Sequence, residues 1–391
     1  MSTTLFDADN HYYEALDAFT RHLDPKLGPR TIEWGEFGGR RYHVVGGKVA
    51  RVVSNPTFNP IAKPGALYGY FRGNAEGKKV SDYLVDREPI RPEYTDRDAR
   101  VKVMDEQGLA SAWLFPTLGV LYEELLKHDP WAVGQTFKAF NRWVAEDWGL
   151  NYQDRIFAAP YISLADLDAA IGEVEWALER DCRVMCIRGA APTTATGQRP
   201  PSDPYFDPFW ARVNEAGITM VVHAGDAGYS TNGYADQKFK GDGTFDDGGR
   251  PSVKMFALER AVHDFLATLV FDRLFDRFPN LRFASVENGS SFVPGLLANL
   301  SSTAKKVPGY FAEDPVATFK RHVWVNPFWE DDVAELAEVM GADRVIFGSD
   351  WPHMEGLARP RDYLDEVKAL PEPDRAKILW ANTAELNTPR S

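Results

Sequence analysis

Short apolar runs separated by amphipathic stretches recur along this chain from about residue 95 to its end. The segments 110–115, 155–162, 183–188, 218–223, 281–287, 322–326 and 344–350 each read as a strand. Each is apolar through most of its length, as expected when both faces are buried. Another apolar run, 3–6, opens the chain. Helical spacing predicts helices over 96–107, 120–127, 130–148, 165–180, 208–216, 252–276, through the 290s and over 330–340, with Gly108 closing the first of them. Strands alternating with helices predict a parallel α/β sheet, and eight such units predict a distorted (β/α)8 TIM barrel. An open doubly wound sheet shares the alternation. No Gly-x-Gly-x-x-Gly follows the first strand, however, so the usual dinucleotide loop is missing.

Before residue 95 the alternation fails. An amphipathic stretch at 15–27 predicts a short helix stopped near Gly28-Pro29. The segment 31–53 is β-rich, with Gly-Gly pairs at 38–39 and 46–47, and predicts a small antiparallel meander carrying His43 on a sheet face. The stretch 55–82 is rich in Pro, Gly and aromatic residues, and Tyr68, Tyr70, Phe71 and Arg72 are expected to pack rather than to wall a pocket. We therefore expect one unit spanning 1–391, with a β-rich insertion after the first strand at about 30–90.

Composition narrows the function classes. At 44% hydrophobic residues the chain can bury a core without disulfides, and Cys182 and Cys186 are expected as free thiols in a reducing cytoplasm. A net charge of -13 argues against nucleic acid as a partner. No apolar run is long enough to span a membrane, and residues 1–4 lack a leader pattern. A small-molecule substrate and a homo- or hetero-oligomeric assembly are the expected partners.

The chemistry sits where strands end. Asp9 and His11 are two residues apart and so share a strand face, with Glu14 just beyond. Later strands end at Arg188, His223, Glu287, Asn326 and Asp350, the last followed by His353. Each group alone has a plainer role, since a carboxylate after a strand caps helices and a histidine can be satisfied in a core. In a barrel these ends share one rim. Several carboxylates gathered there are costly to bury unless a cation compensates. We therefore expect Asp9, His11, Glu14, His223, Glu287 and Asp350 to bind a divalent metal. Zinc is expected first, with Mn or Fe, as one or two ions, as the alternative. Asp350, Glu287, Arg188 and His353 are the expected catalytic groups, with Asp350 taking a proton from metal-activated water and Arg188 gripping a substrate carboxylate. His22, His128, His263 and His322 are expected to be structural or superficial, although Asp264 adjoins His263.

Asp9-Asn-His11, His223 in Val-Val-His-Ala-Gly and Asp350 in Phe-Gly-Ser-Asp-Trp-Pro-His resemble the landmarks of the amidohydrolase superfamily. The likeness is to its amidohydrolase 2 family, which includes aminocarboxymuconate-semialdehyde and dihydroxybenzoate decarboxylases. The resemblance covers about 3–10 and 95–385 and implies a distorted TIM barrel with one Zn or Mn. It implies a metal-dependent enzyme for hydrolysis or nonoxidative decarboxylation of a small carboxylated or carbonyl substrate. Two departures stand out. Asp9 replaces the first histidine of the usual His-x-His pair. Glu287-Asn288-Gly289 occupies the place where such decarboxylases carry a catalytic histidine. The extra carboxylate leaves open a dinuclear Fe/Mn oxygenase, like the branch resembling 2-aminoisobutyrate hydroxylase. A non-catalytic metal-binding subunit, with the insertion as its assembly surface, also stays open.

Overall fold

The computed structural model describes residues 4–53, 55–232 and 253–390. The first strand, Leu5–Tyr12, is buried throughout and carries Asp9 and His11 within it. It pairs in parallel with Leu109–Pro116, which pairs with Ile156–Ala158. A second parallel sheet runs in the order Val323–Val325, Arg282–Val286, Thr219–His223, Val184–Arg188, Tyr161–Ile162. The strand expected at 155–162 is thus divided at Ala159-Pro160 and serves both sheets. Ala159 N donates to Leu114 O (2.9 Å), and Cys186 N donates to Pro160 O (2.9 Å). Proline has no N–H to continue a ladder, which suits the break.

The segment expected as the last strand, 344–350, departs most from expectation. It forms only isolated bridges, Val345 with Val325 and Trp351 with Asn10. Ile346 N donates to Val325 O (3.0 Å) and Ala8 N to Phe347 O (2.8 Å), while Ser349 N (3.2 Å) and Asp350 N (2.8 Å) both donate to Asp9 O. A regular ladder fails for two reasons. The first strand shifts register between Asp7 and Asn10, and Asp350 takes a left-handed φ of 55° that no strand continues through. Gly348 is demanded by this close approach, since an added Cβ would lie 2.4 Å from Asp9 Cβ.

Helices follow their caps. Asp96, Asp129, Asp166 and Asp332 accept from backbone N–H groups at the starts of Arg97–Gln107, Pro130–Asp147, Leu167–Leu178 and Val333–Met340. Gly108, at φ 69°, closes the first of these. The helix expected at 252–276 begins outside the described residues. From Val253 it is a 3-10 turn, then Ala257–Phe271, then Leu274–Arg277, broken where Arg273 takes φ 56°. The helix expected at 15–27 does not form. Turns bury Ala18, Phe19 and Leu23 instead, and a 3-10 helix follows at Pro25–Arg30. Phe19 stacks on Phe140 (4.6 Å), so core packing overrides a weak amphipathic pattern.

The meander forms from Ile32–Phe37, Arg40–Val45 and Lys48–Val49. Its two turns place both glycines of each pair at positive φ, as tight hairpins require. His43 is buried, its ring tilted against Trp34 (centroids 3.8 Å apart), with Nδ1 2.7 Å from the Tyr122 hydroxyl. Burial pushes its pKa down to about 3, so it is a neutral packing residue. Tyr68 stacks on Trp329 (4.9 Å) with Arg72 over the same ring. Gly65 N donates to His353 O (3.2 Å) and Leu67 N to Met354 O (2.9 Å), which ties this segment to the stretch after Asp350. Cys182 and Cys186 are free and buried. Among the described residues no helix is long and apolar enough to cross a membrane.

Candidate metal centre

Asp9 and His11 project from one face of the first strand, and His223 and Glu287 stand at the ends of two neighbouring strands. His11 Nε2 lies 3.3 Å from Asp9 Oδ1, 3.3 Å from Glu287 Oε2 and 3.4 Å from Asp350 Oδ1. His223 Nε2 lies 3.5 Å from Asp9 Oδ1 and 3.3 Å from Glu287 Oε2. Close as they are, Asp9 Oδ1, His11 Nε2 and His223 Nε2 are buried without a hydrogen-bond partner. These atoms converge on a point rather than on one another. Donors held tetrahedrally about 2.1 Å from an ion sit about 3.4 Å apart, which is the spacing found. His223 Nδ1 is 2.8 Å from Ala224 O. A carbonyl can only accept, so Nδ1 carries the proton and Nε2 presents its lone pair to the centre. The residues therefore fit a divalent cation.

Two overlapping groups of donors arise. Asp9, His11, His223 and Glu287 form one, and His11, Glu287, Asp350 and His353 the other. Glu287 and Asp350 reach their positions from left-handed backbone, φ 57° and 55°, a conformation that costs free energy in non-glycine residues and gathers at functional sites.

Charge is tightly arranged. Burial alone would lower the pKa of His11, but the carboxylates of Asp9 and Glu287 outweigh it and hold the value up at about 10. Burial opposes ionisation of Asp9, yet His11 and His223 hold its carboxyl well below the usual range. With its pKa held there, His11 is protonated at neutral pH, and a binding metal must displace that proton. Metal binding is expected to release a proton, with affinity rising as the pH climbs toward about 10 and weakening on acidification. Calorimetric titrations in buffers of different ionisation enthalpy measure this, and a pH-independent affinity would contradict it.

Asp350 and His353 form a second unit. His353 Nδ1 is 2.6 Å from Asp350 Oδ1, and Nε2 is 2.9 Å from Thr117 Oγ1. Thr117 donates its hydroxyl proton to Tyr12 O (2.7 Å), so its oxygen accepts from His353 Nε2–H, leaving Nδ1 as the acceptor toward Asp350. Burial, then Glu287 and Glu355, push the Asp350 pKa well up, while burial and His11 push His353 well down. With Nδ1 as the acceptor, Asp350 is the donor in this contact, and both shifts run in the same direction.

Two expected residues stand elsewhere. Glu14 is not among the converging donors. Its Oε1 accepts from Leu118 N (2.7 Å) and Gly119 N (3.1 Å), at the start of the helix Gly119–Leu126, where unpaired N–H groups favour a carboxylate. Arg188 lines a small cavity beside His223, together with Val120, Tyr161 and Ile187. Its guanidinium is paired with Glu124 and donates to Asp226 O (3.0 Å). His263 lies with Asp264 at the surface (3.0 Å).

Sequence reading also missed neighbours. Glu355 is pushed up to about 7 by burial and by Glu287; its position two residues after His353 was the available signal. Thr117 lies just past the strand Leu109–Pro116 and had no signal beyond that place.

Comparison with known proteins places this architecture. Gamma-resorcylate decarboxylase of Polaromonas sp. is 24% identical over 306 residues, covering 74% of this chain and 86% of that protein. The crystal structure of an amidohydrolase from Mycobacterium avium subsp. paratuberculosis superposes with a TM-score of 0.92 at 40% identity, covering 99% of this chain and 100% of that one. A dihydroxybenzoic acid decarboxylase from Polaromonas sp., solved with bound manganese and 2-nitroresorcinol, shares the fold at 18% identity and a TM-score of 0.59, covering 82% and 93%. The amidohydrolase family model matches residues 81–386, and the chain belongs to that family.

Proposed function

We propose that this chain is a metal-dependent carboxy-lyase of the amidohydrolase family, acting on a small carboxylated substrate without an oxidant. The observation that carries this reading is the convergence of the buried, unpartnered atoms of Asp9, His11 and His223 with Glu287 Oε2 at 3.3–3.5 Å spacing. Two imidazoles and two carboxylates suit Zn or Mn, and the decarboxylase relatives support the reaction class. Backbone hydrogen bonds linking 344–350 to both the first strand and Val323–Val325 support a closed (β/α)8 barrel in one unit spanning 1–391, with the meander and aromatic segment as an insertion.

A bound divalent ion supplies Lewis-acid polarisation of a substrate oxygen. Loss of CO2 leaves the electron pair of the broken C–C bond on the substrate carbon, which then needs one proton. Asp350 holds that proton in a buried setting, and His353 Nδ1 stands 2.6 Å behind it. Asp350 thereby fills the proton-donor role, with Glu287 counted among the converging donors. Because Arg188 is engaged by Glu124, recognition of the substrate carboxylate falls to the centre itself.

The test is metal stoichiometry on protein purified without added metal, followed by CO2 release from a panel of hydroxylated benzoates under nitrogen. One ion per chain with oxygen-independent CO2 release is expected. A protein that takes up no divalent ion, or reacts only with oxygen uptake, would sink the reading. The second donor group, with His353 and Asp350, favours one alternative. This is a two-ion centre, and two redox metals with oxygen consumption would identify it.

A further inference from the structure

We propose that Asp7, Asn10 and Arg100 form a buried positioning circuit that holds Asp9, His11 and Asp350 at ion-binding spacing before any ion arrives; this rests on the metal reading above. None of the three belongs to the converging donors, and all are essentially inaccessible, at 0%, 1% and 0% exposure. Burying a carboxylate and a guanidinium is costly unless each is fully partnered, so what they hold is informative.

Asp7 holds both ligand-bearing segments at once. Its Oδ1 accepts from the Asp9 backbone N–H (3.2 Å) and from the Ser349 backbone N–H (2.9 Å). Its Oδ2 accepts from Ser349 Oγ (2.5 Å) and Asn10 Nδ2 (2.9 Å). These are the places where the first strand shifts register and where 344–350 forms no ladder. A side-chain carboxylate does there what paired strands do elsewhere. Arg100 completes the circuit. Nη1 donates to Asn10 Oδ1 (2.5 Å), Nη2 to the backbone carbonyl of His11 (2.7 Å) and Nε to that of Glu93 (2.7 Å). The guanidinium lies over Trp351, 4.6 Å from the ring centre, next in the chain to Asp350. Asn10 is the connector, because only its NH2 can face a carboxylate and only its oxygen a guanidinium. Amide of Asp9, carbonyl of His11, amide of Ser349 and ring of Trp351 are thus fixed by one network, whereas Asp9 Oδ1 and His11 Nε2 have no hydrogen-bond partner.

The test compares Zn2+ affinity, by competition with a chelating dye, in wild type, Asp7→Asn, Arg100→Lys and Thr219→Val. Thr219 serves as the control because its buried hydroxyl bonds Leu386 O (2.7 Å) at the end of its strand away from His223. Asp7→Asn is expected to keep the fold by circular dichroism and to bind Zn2+ about 10- to 100-fold more weakly, the cost typical of losing a partner that orients ligands. Arg100→Lys, with a point charge in place of a fork, should lose less, and Thr219→Val should lose thermal stability but no affinity. Unchanged affinity in Asp7→Asn, or an equal loss in Thr219→Val, would overturn the proposal. If Asp7→Asn does not fold, unchanged affinity in Arg100→Lys overturns it. A wild type that binds no Zn2+ is a different result and removes the metal reading itself.

Discussion

Replacing His11 by alanine is expected to strip the centre of its metal and to abolish turnover. His11 belongs to both donor groups, and its Nε2 lies within 3.4 Å of Asp9, Glu287 and Asp350. Without the imidazole, the remaining donors are mostly carboxylates that repel one another. A ligand loss should exceed the roughly 10- to 100-fold cost of losing an outer partner, so affinity should fall more than about 100-fold. Elemental analysis of the purified variant measures it. A full metal complement in His11→Ala would mean that the converging donors do not bind the ion.

Asp350→Asn separates proton transfer from metal binding. The amide can neither give nor take the proton that Asp350 shares with His353 at 2.6 Å. The group formed by Asp9, His11, His223 and Glu287 does not include position 350, so the variant should keep its metal. The expected loss is about 10²- to 10⁴-fold in kcat, the range for removing a positioned acid or base. KM should change little by comparison. Turnover within about tenfold of wild type would remove Asp350 from that role and direct attention to Glu355.

Much of the site was legible because its signals are local. Asp9 and His11 face one way by the two-residue period of a strand. His223, Glu287 and Asp350 each follow an apolar run, and the helices expected at 96–107 and 130–148 start at the caps Asp96 and Asp129. Glu14 misled because spacing gives proximity but not direction. The open N–H groups of Leu118 and Gly119 took its carboxylate. Arg188 was placed at the right rim, but its partner Glu124 lies 64 residues away in sequence. Asp7 carries no local signal, because its partner Ser349 is 342 residues distant.

The sequence alone determined the alternation of buried strands with capped helices, the glycine turns of the meander and the residue types at the strand ends. All of these depend on periodicity and on backbone demands that act within a few residues. Only the tertiary structure decided which donors converge, which cation is already neutralised and how 344–350 runs without a regular strand. Those outcomes rest on distances between groups far apart in the chain and on competition for unpaired backbone N–H groups, and no local pattern encodes either.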